Sequence, residues 1–167
     1  DTYRNVSTLM TLLYPERQLD IIRTMLDMYR ENGWLPKWEL YGRETFTMEG
    51  DPSIPYIVDA WMRGLRDFDE QTAYEAMRKG ATTPGEFNLL RPDANDYFSK
   101  GYVPLREQYD NSVSHALEYY IADWNLANSA QALGKKEDAK LFRDRSLGYK
   151  HYYSKEFGTF RPILPDG

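Results

Sequence analysis

The sequence predicts an all-α fold of antiparallel helical hairpins, on three observations. Apolar residues recur at helical spacing along almost the whole chain. No stretch alternates apolar and polar residues long enough to make a convincing strand. The connections between most periodic stretches are short, which forces neighbouring helices antiparallel.

Taken in order, Val6, Leu9, Met10 and Leu13 share one face of a first helix that ends before Pro15. Pro15 at a first turn, followed by Glu16, opens a second helix. Its stripe is Leu19, Ile22, Met25, Leu26 and Tyr29, and Gly33 is a natural C-terminal stop. Beyond a Trp/Pro loop and the Glu49-Gly50-Asp51-Pro52 turn, a third helix carries Ile54, Ile57, Val58, Trp61 and Leu65. Asp67 or Asp69 caps a fourth, with Ala73, Ala76 and Met77 inward. From about Thr82 to Tyr109 the spacing predicts a long irregular segment, and a loop of that length in a compact domain is usually functional. Asn111 or Ser112 starts a fifth helix whose expected buried stripe is Val113, Leu117, Tyr120, Trp124, Ala127 and Ala130. A sixth follows the Leu133-Gly134-Lys135-Lys136 turn, with Ala139, Phe142, Ser146 and Tyr149 at core spacing. Two architectures fit, a superhelical repeat array and part of an α/α toroid. No period near 34 residues recurs, and two unequal long loops suit a toroid rim better.

With 167 residues and a net charge of −5, the chain reads as one all-α segment over 1–167 with no basic face for nucleic acid. No apolar run approaches membrane-spanning length. The absence of cysteine excludes a disulfide framework, a thiolate nucleophile and a cysteine-ligated zinc. Aromatic residues reach 15%, with 14 tyrosines, more than helix packing alone requires and in keeping with a carbohydrate cleft. Both ends read as cuts, so the chain is expected to be a piece of a longer polypeptide.

Chemistry concentrates in Gly33-Trp34-Leu35-Pro36-Lys37-Trp38-Glu39-Leu40. A flat ring covers the C–H face of a sugar while charged groups take its hydroxyls. The plainer alternative is that Trp34 and Trp38 only staple the loop to its helices. Glu39 and Glu44 could divide acid and base work, although hydroxyl binding suits Glu39 better. Lys37 could neutralise Glu39 or face the ligand. Glu118 has no lysine or arginine three or four positions away, so it is either buried with a partner or lines a cleft. Asp123 has the same ambiguity, with a structural role favoured. Asp1 and Arg4 lie on one helical turn, where an aspartate usually caps. His115 and His151 lack metal spacing.

The ordered series of short motifs carries more than any one of them. It runs through Asp1-Thr2-Tyr3-Arg4, Leu35-Pro36-Lys37-Trp38-Glu39, Gly50-Asp51-Pro52, Gly64 with Asp67-Phe68-Asp69, and Ala73-Tyr74-Glu75-Ala76-Met77. Gly101-Tyr102-Val103-Pro104, Ser112-Val113-Ser114, Leu117-Glu118-Tyr119, Asp123-Trp124, Leu133-Gly134-Lys135 and Arg145-Ser146 complete it. The whole series resembles glycoside hydrolase family 92, the calcium-dependent, exo-acting α-mannosidases typical of glycan-degrading Bacteroidetes. The resemblance implies an N-terminal β-sandwich partner in the same chain, followed by an (α/α)6 toroid of which this segment is a part. It implies inverting hydrolysis of terminal α-mannosides, with α-1,2 or a related linkage, in a secreted, periplasmic or cell-surface enzyme. By the same resemblance Asp1 holds sugar hydroxyls in the −1 subsite, Arg4 supports it, and Trp38 and Glu39 line the same pocket. The motifs associated with the acid, the base and the calcium ligands do not occur in these residues and are expected beyond Gly167. No catalytic or metal-binding residue is therefore assigned here, and the segment alone is expected to be inactive. The competing readings are a helical-repeat scaffold that binds protein, and a six-hairpin glycosidase acting on another sugar.

Overall fold

A computed structural model describes residues 2–106 and 111–167. Among the described residues the chain forms seven α-helices: α1 (Val6–Leu13), α2 (Pro15–Asn32), α3 (Ser53–Met62), α4 (Glu70–Thr82), α5 (Ala94–Lys100), α6 (Ser112–Ala132) and α7 (Lys136–Ser146). Two antiparallel two-residue ladders supplement them: β1 (Glu39–Leu40) with β2 (Arg43–Glu44), and β3 (Tyr153–Ser154) with β4 (Thr159–Phe160). They are hairpin clasps rather than sheets. The fold is all-α, as the periodicity predicts.

Helix α6 is the spine. It packs against α3, α4 and α7, and α7 folds back on it across the Leu133–Lys135 turn. The main core is built from Ile22 and Leu26 of α2, Ile57 and Trp61 of α3, Ala73 and Met77 of α4, Leu126 of α6 and Phe142 of α7. A second, tyrosine-rich cluster joins Tyr97, Tyr119, Tyr120 and Tyr152, and Val103 and Ala116 pack with them. Tyr152 clasps Val103 at both backbone groups, donating to its carbonyl at 2.7 Å and accepting from its N–H at 2.8 Å.

The local stop and start signals behave as their chemistry requires. Gly33 ends α2 in the left-handed region at φ 78°, where its N–H returns to the Tyr29 carbonyl. Of the two candidate caps for α4, Asp69 serves, accepting from the Thr72 N–H at 3.0 Å. The Thr72 hydroxyl and amide, with Arg30 further out, hold its carboxyl below its usual value. Its contribution is therefore complete above the ordinary carboxylate range and fades as pH falls through the lowered value. Asp69→Ala should cost about 1 kcal/mol, read as a lowered denaturant midpoint of the full-length protein.

Four expectations need correction. In α1 the buried face is Ser7 and Thr11, while Val6, Leu9, Leu12 and Leu13 point outward. The reason is a polar seam: Gln18 of α2 donates to Ser7 Oγ at 2.8 Å and accepts from the Tyr56 hydroxyl of α3 at 2.7 Å. Small hydroxyls fit that seam and leucines do not. In α6 the expected Tyr120, Ala127 and Ala130 are buried, but Ala116, Tyr119, Asp123 and Leu126 complete the buried face in place of the half-buried Val113 and Leu117. Trp124 is 47% exposed beneath the Arg143 guanidinium, 3.8 Å away. Tyr149 is likewise exposed, because α7 gives way to the 3-10 turn Leu147–Tyr152. Finally, the stretch expected to be irregular contains α5, closed by Gly101 at φ 78°, and a short 3-10 turn at Gly85–Phe87. The end of that stretch, residues 107–109, lies outside the described residues.

Candidate functional site

Three segments distant in sequence meet at one open pocket of about 630 Å³, within the usual size for small ligands. The N-terminal turn brings Tyr3 and Arg4, the Trp/Pro loop brings Lys37, Trp38 and Glu39, and α6 brings Ser114 and Glu118. Glu49 and Pro52 close the rim. Three of the four site residues expected from the sequence, Arg4, Trp38 and Glu39, thus share this wall. The fourth, Asp1, lies outside the described residues.

Glu118 is the organising group. The Tyr3 hydroxyl donates to its Oε2 at 2.6 Å, and Arg4 Nη2 donates to its Oε1. Burial first, then the Glu118 hydrogen bond and charge, raise the Tyr3 phenol above its ordinary value, so it stays a donor at any working pH. Both alternatives weighed for Glu118 hold together, since it has partners and it lines a cleft. Gly50 makes this possible. It sits at φ 79°, and a Cβ there would come within 2.5 Å of Glu118 Cβ. Only glycine lets the Glu49–Pro52 loop cross α6 at that point.

Trp34 and Trp38 part company. Trp34 is the staple, with the Lys79 ammonium 4.6 Å from its ring and donating to the Gly33 carbonyl at 2.6 Å. Trp38 is 44% exposed at the pocket. Lys37 neither pairs with Glu39 nor reaches outward, because its Nζ donates to the Leu90 carbonyl at 2.8 Å and the Met48 carbonyl at 3.3 Å. Burial pushes its ammonium down from the ordinary lysine value. Glu39 and Glu44 face each other across the β1–β2 ladder, but Glu44 is not part of the pocket wall.

Beneath the rim lies a buried ion cluster that the sequence reading did not single out apart from Asp123. Arg91 is fully buried. Its Nε donates to Asp51 Oδ2 at 3.0 Å and its Nη1 to Asp123 Oδ1 at 2.7 Å. Asp123 Oδ2 takes the Tyr97 hydroxyl at 2.9 Å and lies 2.8 Å from Arg145 Nε. Asn88 turns the chain inward here, accepting from the Leu90 and Arg91 amides and donating to the Gly80 and Thr83 carbonyls. The cluster ties Asp51, next to the pocket rim, to the middle of α6. Asp93 and His115 form a separate pair, Oδ2 to Nδ1 at 2.5 Å.

The chain matches the glycosyl hydrolase family 92 catalytic domain over residues 1–167. It belongs to glycosyl hydrolase family 92. Among solved structures, the inverting mannosidase BT2199 of Bacteroides thetaiotaomicron aligns at 32% identity with a TM-score of 0.91, covering 100% of this chain and 23% of that one. The α-mannosidase BT3965 of the same organism, solved with mannoimidazole, aligns at 32% identity and a TM-score of 0.88, covering 99% and 21%. An uncharacterised secreted glycosidase of Arthroderma benhamiae is 28% identical over 156 residues, covering 87% of this chain and 20% of its own. This family 92 chain therefore spans about a fifth to a quarter of the length of these relatives. Its helices are a segment of the family's helical toroid.

Calcium was expected from the resemblance, with its ligands elsewhere. Among the described residues no group of three His, Cys, Asp or Glu side chains could hold a metal ion. Calcium takes six to eight oxygens, and the pocket's best-placed carboxylate, Glu118, is already engaged by Tyr3 and Arg4. These residues do not fit the ion by themselves. Among them, too, no helix is long and apolar enough to cross a membrane.

Proposed function

We propose that this segment forms part of the −1 subsite of an exo-acting, inverting α-mannosidase that removes terminal α-linked mannose from glycans outside the cytoplasm. One observation carries the reading. Arg4, Trp38, Glu39 and Glu118 line a single pocket in a chain whose solved relatives at 32% identity are mannosidases. An exposed indole beside carboxylates supplies the two contacts a hexose needs, a flat apolar face and hydroxyl acceptors. Trp38 would cover the C–H face of the ring. Glu39 and Glu118 would accept sugar hydroxyls, and Asp1 would add a further acceptor.

Inverting hydrolysis requires a protonated carboxyl on one side of the bond and a carboxylate activating water on the other, roughly 6.5–9.5 Å apart. Glu118 is held as a hydrogen-bond acceptor by two donors and is unsuited to deliver a proton. By the family resemblance the acid and base are assigned to parts of the longer chain beyond Gly167, together with the calcium ligands, and an N-terminal β-sandwich would complete the site. Calcium would then template and polarise the sugar hydroxyls. The secreted Arthroderma relative supports an extracellular location.

In the full-length enzyme, Trp38→Ala should raise KM for an aryl α-mannoside about tenfold, matching the roughly 1.4 kcal/mol of a lost aromatic platform. Calcium chelation should abolish mannose release, and the 167-residue segment alone should release none. Wild-type kinetics in the Trp38 variant would remove the indole from the subsite, and activity in the isolated segment would overturn the placement of the acid and base.

A further inference from the structure

The loop that presents Trp38 and Glu39 is held in an unfavourable shape. Tyr41, Phe46 and Met48 all occupy the left-handed region, at φ 53°, 53° and 71°. None is glycine or asparagine, and such residues cost on the order of 1 kcal/mol each where they occur. Three in eight positions persist only if something outside the local backbone preference fixes them.

Tyr41 takes this shape with Gly42 in the two-residue turn between β1 and β2, the Met48 carbonyl is held by Lys37 Nζ at 3.3 Å, and Phe46 is fixed by Glu44. Its Oε2 accepts the Lys37 N–H at 2.6 Å, and Oε1 accepts the Thr45 N–H at 2.9 Å and the Phe46 N–H at 2.6 Å. The Trp38 N–H is shared between both oxygens, at 2.9 and 3.0 Å. Four backbone donors converge on one carboxylate, an anion nest assembled from the segments that flank the hairpin's two strands. The other side of Trp38 is fastened as well, because its carbonyl accepts the Thr45 hydroxyl at 2.7 Å and the Thr45 N–H at 3.1 Å. A carboxylate has about four acceptor sites, so Glu44 has none left for water, a sugar hydroxyl or a glycosidic oxygen. An acid or base role is closed to it.

We propose that Glu44 is the positioning residue of the sugar pocket, fixing Trp38 and Glu39 in its wall without touching the sugar. The proposal rests on the reading of Trp38 as a subsite platform, and its test keeps the two separable. Full-length enzyme carrying Trp38→Ala, Glu44→Ala, Glu44→Gln or the Trp38→Ala/Glu44→Ala pair is assayed on an aryl α-mannoside. Amide hydrogen exchange is followed in parallel across residues 37–46.

Glu44→Ala should lower kcat/KM at least as far as Trp38→Ala, about tenfold, and the pair should be no worse than Glu44→Ala alone. Glu44→Gln, which keeps one acceptor oxygen, should recover part of the loss. Exchange at Lys37, Trp38, Thr45 and Phe46 should quicken in both Glu44 variants while α2 and α3 stay protected. Should Glu44→Ala fail to fold, the glutamine variant carries both readouts. Losses that multiply in the pair, or unchanged exchange at those amides, would overturn the proposal. A Trp38 variant with normal kinetics would instead sink the platform reading, and exchange would still report whether Glu44 orders the loop.

Discussion

Arg91→Met in the full-length enzyme is expected to lower the free energy of unfolding by roughly 3–5 kcal/mol, read as a shift of the denaturant midpoint. Breaking a buried ion pair by removing one partner costs that much. The geometry supports the upper part of that range. Arg91 is fully buried between Asp51 and Asp123, which are buried too. Burial already pushes the Asp51 carboxyl up against the pull of Arg91. Burial alone would push the guanidinium down, but Asp123 and Asp51 outweigh it and hold it above its ordinary value. Without Arg91, Asp51 loses its hydrogen-bonded counter-charge and must take a proton or unfold its loop. Lysine should rescue poorly, because a single ammonium cannot reproduce the fork that meets two carboxylates at once. The control is Arg78→Met, which breaks a part-exposed pair with Asp138 and should cost at most about 1 kcal/mol. Equal shifts in the two variants would show that the buried cluster contributes no more than a surface pair.

The features legible in the sequence were those with a local cause. Gly33 and Asp69 work through one or two hydrogen bonds within their own helix ends, so residue type and position were enough. Helix faces were less secure. An apolar stripe says which residues share a face, not what lies opposite, and α1 turns its leucines outward because Gln18 and Tyr56 happen to face it. Helix α5 was missed for want of length: seven residues give too few turns for a periodic signal. Gly101 after a lysine was the available hint.

The site divides in the same way. Trp38 and Glu39 could be singled out by residue type, since exposed aromatics beside charges are scarce in loops that only connect, whereas Arg4 was reached only through the family resemblance. Glu118 carried a readable sign, a carboxylate on an aromatic helix with no partner at helical spacing, but its partners Tyr3 and Arg4 are 115 and 114 positions away. Arg91 had no sign at all, because nothing in composition separates a buried arginine from a solvated one. Glu44 was misleading. Its sequence neighbour Glu39 suggested a catalytic pair, whereas its partners are backbone amides, which every residue has and no motif reports.

Glu118→Gln should lower kcat/KM roughly 30- to 150-fold, the equivalent of about 2–3 kcal/mol for hydrogen bonds to a charged group. The substitution keeps the shape of the side chain but removes the charge that Arg4 meets and puts a donor where Tyr3 or Arg4 already donates. The loss should appear mainly in the pocket, with little change in melting temperature, because Arg4 is 43% exposed at its side chain and such pairs stabilise weakly. Two neighbours rank the effect. Tyr3→Phe removes one of the two donors to the Glu118 carboxylate and leaves Arg4 in place. Its loss should sit at the low end for a bond to a charged group, about 1.5 kcal/mol, and cost about tenfold. Arg4→Met should fall between them, since Glu118 would keep its charge and its tyrosine. That order, with Glu118 most sensitive and Tyr3 least, follows if the carboxylate meets the sugar and the other two hold it. A Tyr3→Phe loss equal to that of Glu118→Gln would reverse the roles and make the phenol the group in contact with the hexose.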